Sequence, residues 1–225
     1  MFYISRRPFV IPSGGGSAVT LDQASTEQGT STSPLVNNNH TVAGGLTNPA
    51  LLLVIVNAGA TSMTSVTAVW DFGGAPQSMT LLKDQNAGSG RQVMIFGLRN
   101  PASGNKQLRV DYSGASNAVF CAAMSFSHVN PASDAAAFPN ATGASTGATP
   151  ISITITTGAN NYGVAGYSSQ TNFSSVSDNQ LFLDNTGSVW AAAANYAASS
   201  GASVTLTGSP GNVNSTTAGI CVAHD

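Results

Sequence analysis

Leu51-Leu52-Leu53-Val54-Ile55-Val56 is the stretch that decides the fold class. Even with Ala50 before it, the run is far shorter than the roughly 20 apolar residues a membrane helix needs. Unbroken apolarity over a strand's length, rich in β-branched residues, reads as a strand covered on both faces. Ile151-Ser152-Ile153-Thr154-Ile155-Thr156 is its complement. There every second residue is apolar, the signature of a strand with one face buried and one in solvent.

Working outward, residues 65–70 and 79–82 flank Asp71-Phe72-Gly73-Gly74, a turn signal. Strands are expected at 92–98, 107–112 and 119–126, and again at 162–167, 181–183, 189–196, 203–206 and 219–223. Nothing holds a 3.6-residue period over a helical length, and the alanines at 191–194 sit between Trp190 and Asn195-Tyr196, which favour strand. About a dozen short strands imply an all-β, antiparallel β-sandwich, jelly-roll-like in type.

The two halves of the chain resemble each other. Val93-Met94-Ile95-Phe96, Ser103-Gly104, Leu108-Arg109-Val110 and Phe120-Cys121-Ala122 form one series. Val189-Trp190-Ala191-Ala192, Ser200-Gly201, Val204-Thr205-Leu206 and Ile220-Cys221-Val222 form a second. The offset, roughly 100 residues, exceeds solenoid periods. It fits two similar Greek-key halves closing one sandwich.

Charged residues make up only 7% of the 225 residues, against roughly 25% in ordinary soluble domains. So little charge gives weak protection against association, which suits a subunit held in an assembly or working outside a cell. The net charge is −2, and Lys83, Arg91, Arg99, Lys106 and Arg109 are scattered singly, so nucleic acid is not an expected partner. Cys121 and Cys221 each lie in an apolar run and read as buried thiols, with a single bridge as the alternative. Arg6-Arg7 is followed by only Phe9-Val10-Ile11 before Pro12, too little for the core of a signal peptide. The chain is expected to fold in a cytoplasm, without membrane contact.

Catalysis needs titratable groups brought together, and here they are sparse. His40, His128 and His224 have no ligand-like spacing, and Asp71, Asp84, Asp111, Asp134, Asp178 and Asp184 are isolated. Gly143-Ala144-Ser145-Thr146-Gly147 has the G-x-S-x-G form but is followed by Pro150 and a strand instead of the helix a nucleophile elbow requires. No catalytic residue, metal site or cofactor is assigned, and the protein is expected not to be an enzyme. Trp70, Trp190, Tyr167, Phe173 and Tyr196 are the aromatics that could stack on sugars if they reached the surface.

Residues 1–35 differ from the rest and are taken as an extended amino-terminal arm with a Gly-rich hinge; residues 36–225 are taken as a single sandwich domain. Phe2, Tyr3, Ile4, Arg6, Arg7, Phe9, Val10 and Ile11 mix large apolar side chains with two cations, and Gly14-Gly15-Gly16 follows as a flexible link. Pro8 and Pro12 favour extended neighbours. Such an arm cannot bury itself locally. It straps onto its own sheet edge, reaches a neighbour, or frays.

Thr41-Val42, Leu51-Leu52-Leu53-Val54, Val66-Thr67-Ala68-Val69-Trp70, Met79-Thr80-Leu81 and Ile95-Phe96-Gly97-Leu98, continuing to Met124-Ser125-Phe126-Ser127, have a familiar cadence. Over residues 40–130 it resembles β-sandwich domains of tailed-bacteriophage structural proteins and bacterial surface proteins. The resemblance implies a virion component: a head decoration, or cement, protein that stabilises a capsid shell. By that analogy the arm residues grip the major capsid protein or other virion subunits, and the protein is a homo-oligomer, a trimer by family habit. The alternative is a tail or surface adhesin module binding a receptor or glycan, which expects exposed aromatics around Phe138 and Phe173.

Overall fold

The computed structural model describes residues 17–29, 33–88, 90–114, 118–146, 149–185, 190–211 and 214–225. Strands dominate. The first half carries β1 (Thr20–Gly29), β2 (Leu35–Asn37), β3 (Thr41–Val42), β4 (Ala50–Ala58), β5 (Thr64–Trp70) and β6 (Gln77–Ser78). It continues with β7 (Thr80–Asn86), β8 (Arg91–Arg99), β9 (Gly104–Asn105), β10 (Leu108–Ser113) and β11 (Ala118–Ser127). One helical turn, α1 (Asp134–Ala137), capped by Ser133 Oγ accepting from the Ala136 N–H, leads into the second half. There follow β12 (Thr142–Thr146), β13 (Ile151–Thr156), β14 (Tyr162–Ser169), β15 (Phe173–Val176), β16 (Asn179–Asp184), β17 (Ala191–Ala198), β18 (Ser203–Pro210) and β19 (Ser215–Val222).

The strands form two large antiparallel sheets, ordered β1-β11-β4-β8-β7 and β12-β19-β14-β17-β16. Two smaller sheets run β2-β10-β5-β6 and β13-β18-β15, and β3 pairs with β9. The halves have the same plan. Writing β12, β13, β14, β15, β16, β17, β18 and β19 for β1, β2, β4, β5, β7, β8, β10 and β11 turns the first pair of sheets into the second, apart from the short edge strand β6. The repeat seen in sequence therefore falls on equivalent strands, but the halves do not close one sandwich between them. Each builds its own pair of sheets, and the two pairs pack with their five-stranded sheets face to face.

The cause is the two-sided burial that residues 51–56 announce. Leu51, Leu53 and Ile55 point to one side and meet Ala68, Trp70, Leu108 and Val110. Ala50, Leu52, Val54 and Val56 point to the other and meet Val164, Ala192, Ala194, Ala218 and Ile220. In the second half Ala165, Tyr167, Ala193 and Cys221 complete a third core with Ile151, Ile153, Ile155 and Leu206. The result is four layers and three cores. The outer sheets alternate: in β13 the isoleucines are buried while Ser152, Thr154 and Thr156 are exposed.

Of the segment assigned to the arm, residues 20–29 form β1, paired along β11 from Thr20 opposite Ser127 to Gly29 opposite Val119. β1 lies beside β16 at one margin of the central layers, and β7 lies beside β12 at the other. Because β1 corresponds to β12 and β7 to β16, this places the halves about an approximate twofold axis through the middle core.

Candidate functional site

The predicted contact residues Phe2, Tyr3, Ile4, Arg6, Arg7, Phe9, Val10 and Ile11 lie outside the described residues. A groove lies at the margin where β1 meets β16. It has a volume of about 210 Å³ and is lined by Thr26, Glu27, Gln28, Phe120, Phe182, Leu183 and Asp184.

Register explains the lining. Thr26, Glu27 and Gln28 stand opposite Ala122, Cys121 and Phe120. In β16 a register shift between Gln180 and Phe182 sets Phe182 opposite Ala194 and Asp184 opposite Ala192. The Phe182 ring stacks on Phe120 with centroids 5.8 Å apart and planes 20° from parallel. The floor is thus aromatic, Thr26 and Gln28 stand on the Phe120 side of β1, and no lining residue is cationic. The volume is below the roughly 300–1,000 Å³ of small-molecule sites.

The densest polar cluster lies on the opposite face of β1. His40 is fully buried; its Nδ1 is 2.9 Å from Ser25 Oγ, which also accepts from Asn37 Nδ2 at 3.1 Å. Asp22 Oδ2 accepts from Ser125 Oγ at 2.7 Å and from the Ala43 N–H, while Gln23 Oε1 accepts from the Thr41 N–H. Burial pulls the His40 pKa from 6.5 down to about 4, against the opposing pull of the Asp22 carboxylate. The ring is therefore neutral. Ser25 Oγ and Nδ1 share one hydrogen bond, whose donor is set by the tautomer of the ring. Nε2 has no hydrogen-bond partner, and the ring stands edge-on to Trp70 at 5.8 Å.

A serine on a neutral imidazole is the beginning of a nucleophile–base pair. Here Ser25 is held by Asn37, and Nε2 is closed off beside Trp70 in the core. The network ties the segment between β2 and β3 to β1. Sequence reading missed it because His40 has no ligand-spaced neighbour in the chain; only the packing of β1 against β2 brings Ser25 and Asn37 to it.

The remaining expectations resolve as follows. Residues 143–146 of the G-x-S-x-G stretch lie in the edge strand β12, with Ser145 Oγ 2.9 Å from Thr216 Oγ1 and accepting from Gln85 Nε2 at 3.2 Å. Cys121 and Cys221 are free and buried in different outer cores, which settles the question of a bridge between them. Trp70, Tyr167, Phe173 and Phe138 are core residues, and Trp70 Nε1 donates to the Ala102 carbonyl at 2.9 Å. The aromatics expected around Phe138 and Phe173 for sugar stacking are thus turned inward. Trp190 and Tyr196 pack half-buried against the middle core. Asp71, Asp111 and Asp134 pair with Lys106, Arg109 and Arg99 respectively. Among the described residues no three His, Cys, Asp or Glu side chains are grouped so as to hold a metal. No family model, curated protein or solved structure matches the chain.

Proposed function

We propose that this protein is a structural subunit that decorates and stabilises a phage-like shell, with a rigid four-layer body and an amino-terminal arm that grips neighbouring subunits. The observation that supports this reading is the outer face of the β13-β18-β15 sheet. Ser152, Thr154 and Thr156 stand opposite Thr207, Thr205 and Ser203, and Thr154 and Thr205 share a hydrogen bond of 2.9 Å. These two strands present hydroxyls and no charge to the outside. Such a face has no like-charge repulsion to oppose close contact with a neighbour.

The action is mechanical. Phe2, Tyr3, Ile4, Phe9, Val10 and Ile11 bury apolar area on a neighbour, each large side chain contributing about 1.5–3 kcal/mol when fully covered. Arg6 and Arg7 pair with carboxylates there. Repeated around a shell, a modest contact per subunit becomes a strong clamp. The adhesin alternative has less support, because the aromatics it relies on are core residues.

The test is co-sedimentation with empty phage capsids stripped of their decoration protein. Full-length protein is expected to bind, and protein lacking residues 1–12 to lose binding while keeping its melting temperature. Normal decoration by the shortened protein would overturn the reading.

A further inference from the structure

We propose that the free edge of β13 docks on the same edge of a second copy of this chain. The two strands pair antiparallel about a twofold axis, and two β13-β18-β15 sheets become one sheet of six strands. The proposal concerns how copies of the chain meet and does not depend on the decoration reading.

The first argument is what this edge lacks. A regular, uncharged edge strand is a template for another strand, and proteins blunt their edges with bulges, short strands and charge. The edge strands β1, β7, β15 and β16 each contain a register shift. β2 and β6 are three and two residues long. β12 lies against β7 of the other half, where Gln85 donates to Ser145. Among the described strands β13 is the longest edge with none of the blunting devices. It pairs with β18 from Ile151 to Thr156 without a shift, and its isoleucines and threonines favour strand. Its counterpart in the first half is the three-residue β2, so the repeat is longer at this one edge.

The second argument is register, and it selects a second copy. The Thr157 N–H reaches the Ala202 carbonyl at 3.0 Å, so in this ladder the alternate positions Ile151, Ile153 and Ile155 bond β18. Ser152, Thr154 and Thr156 therefore direct their N–H and C=O groups to the free side, and all three are exposed. A twofold axis at Ile153 sets Ser152 opposite the partner's Thr154, and each such pair exchanges both backbone bonds. Isoleucine then meets isoleucine on the core side, and hydroxyl meets hydroxyl outside. The flanking pair, Pro150 and the partner's Thr156, needs no N–H from the proline, because the Thr156 carbonyl already accepts from Asn140 Nδ2 at 2.9 Å. The amino-terminal arm fits this edge poorly. Phe2-Tyr3-Ile4 and Phe9-Val10-Ile11 do not alternate, Arg6-Arg7 would bring charge, and Pro8 and Pro12 have no N–H to give.

The experiment uses full-length protein and follows mass by sedimentation velocity across a dilution series, with amide exchange measured at the same concentrations. The paired edge is short, so wild type should be dimeric towards about 1 mM and monomeric on dilution. The Ser152 and Thr154 amides should gain protection as the dimer forms, which tests the edge without any substitution. Ser152→Lys/Thr154→Lys and Ser152→Glu/Thr154→Glu should each raise the dissociation constant roughly tenfold or more, at unchanged melting temperature in dilute protein. An equimolar mixture of the two variants should form mixed dimers, since residue 152 of one then faces an opposite charge at residue 154 of the other.

A wild type that stays monomeric at the highest concentration would overturn the proposal. So would a dimer in which the Thr154 amide exchanges equally fast at every concentration, or charged variants that associate as wild type does. Protein lacking residues 1–12 should still dimerise; if it does not, the arm and not β13 is the contact. Capsid binding bears on the decoration reading alone, and its loss in the shortened protein leaves the β13 dimer standing.

Discussion

Gly166 of β14 faces Val54 of β4 across the middle core, and the valine fills the space the glycine leaves bare. A Cβ added at Gly166 would lie 2.6 Å from Val54 Cγ1, 2.9 Å from Val93 Cγ1 and 3.2 Å from Val56 Cγ2. At this point one sheet protrudes where the other recedes.

Gly166→Val should therefore lower stability by about 2–3 kcal/mol or more, since added carbons in a filled core force backbone shifts. Val54→Ala alone leaves a cavity, and its cost should fall when combined with Gly166→Ala. Denaturant melts of the singles and the double should give a coupling of at least about 1 kcal/mol. Simple additivity would show that the two positions do not meet.

His40 makes stability depend on pH in a defined window. Its folded pKa of about 4 lies below the ordinary 6.5, so between these values the unfolded chain holds a proton that the folded chain does not. Stability should be fully present above pH 6.5, decline as pH falls, and lose up to about 3 kcal/mol from this group by pH 4. His40→Gln should be less stable at neutral pH but flatter across that window. Asp134, held below the ordinary carboxylate range chiefly by its hydrogen bond to Arg99, acts separately. Its contribution is present above the ordinary aspartate pKa and is lost in more acid solution; being partly exposed, it is worth under about 1 kcal/mol.

The thiols should be inert while the protein is folded. Burial pushes both Cys121 and Cys221 up to about 12, so at pH 8 neither offers thiolate to a reagent. Ellman's reagent should titrate no thiol in native protein and two after unfolding in guanidinium. Rapid reaction in the native state would place one of them at the surface.

Much of this architecture is legible in the sequence where the signal is local. Period-two alternation at 151–156 and unbroken apolarity at 51–56 each report how many faces of a strand are covered. What covers them is not local. Residues 191–194 are all alanine, so the two-sided burial of β17 never appears as strong hydrophobicity; small side chains bury little area each, and the layer exists because sheets approach closely. The turn α1 is too short to show a period. The groove joins Glu27 to Asp184 from opposite halves, and no spacing rule in the chain brings them together. His40 is legible only as a lone histidine until strand register supplies Ser25 and Asn37.

The shared middle core makes a further prediction about cooperativity. Val54, Val56, Val93 and Ile95 from the first half are fully buried with Val164, Ala194, Ala218 and Ile220 from the second. Separating the halves would expose this whole surface to water, far more apolar than the faces across which independent domains usually meet. The halves should consequently unfold together in one transition, with calorimetric and van't Hoff enthalpies equal. Gly166→Val should shift that single transition as a unit, because it wedges the sheets apart at their common face. Two resolved transitions, with only one displaced by the substitution, would mean that the halves are independent sandwiches in loose contact.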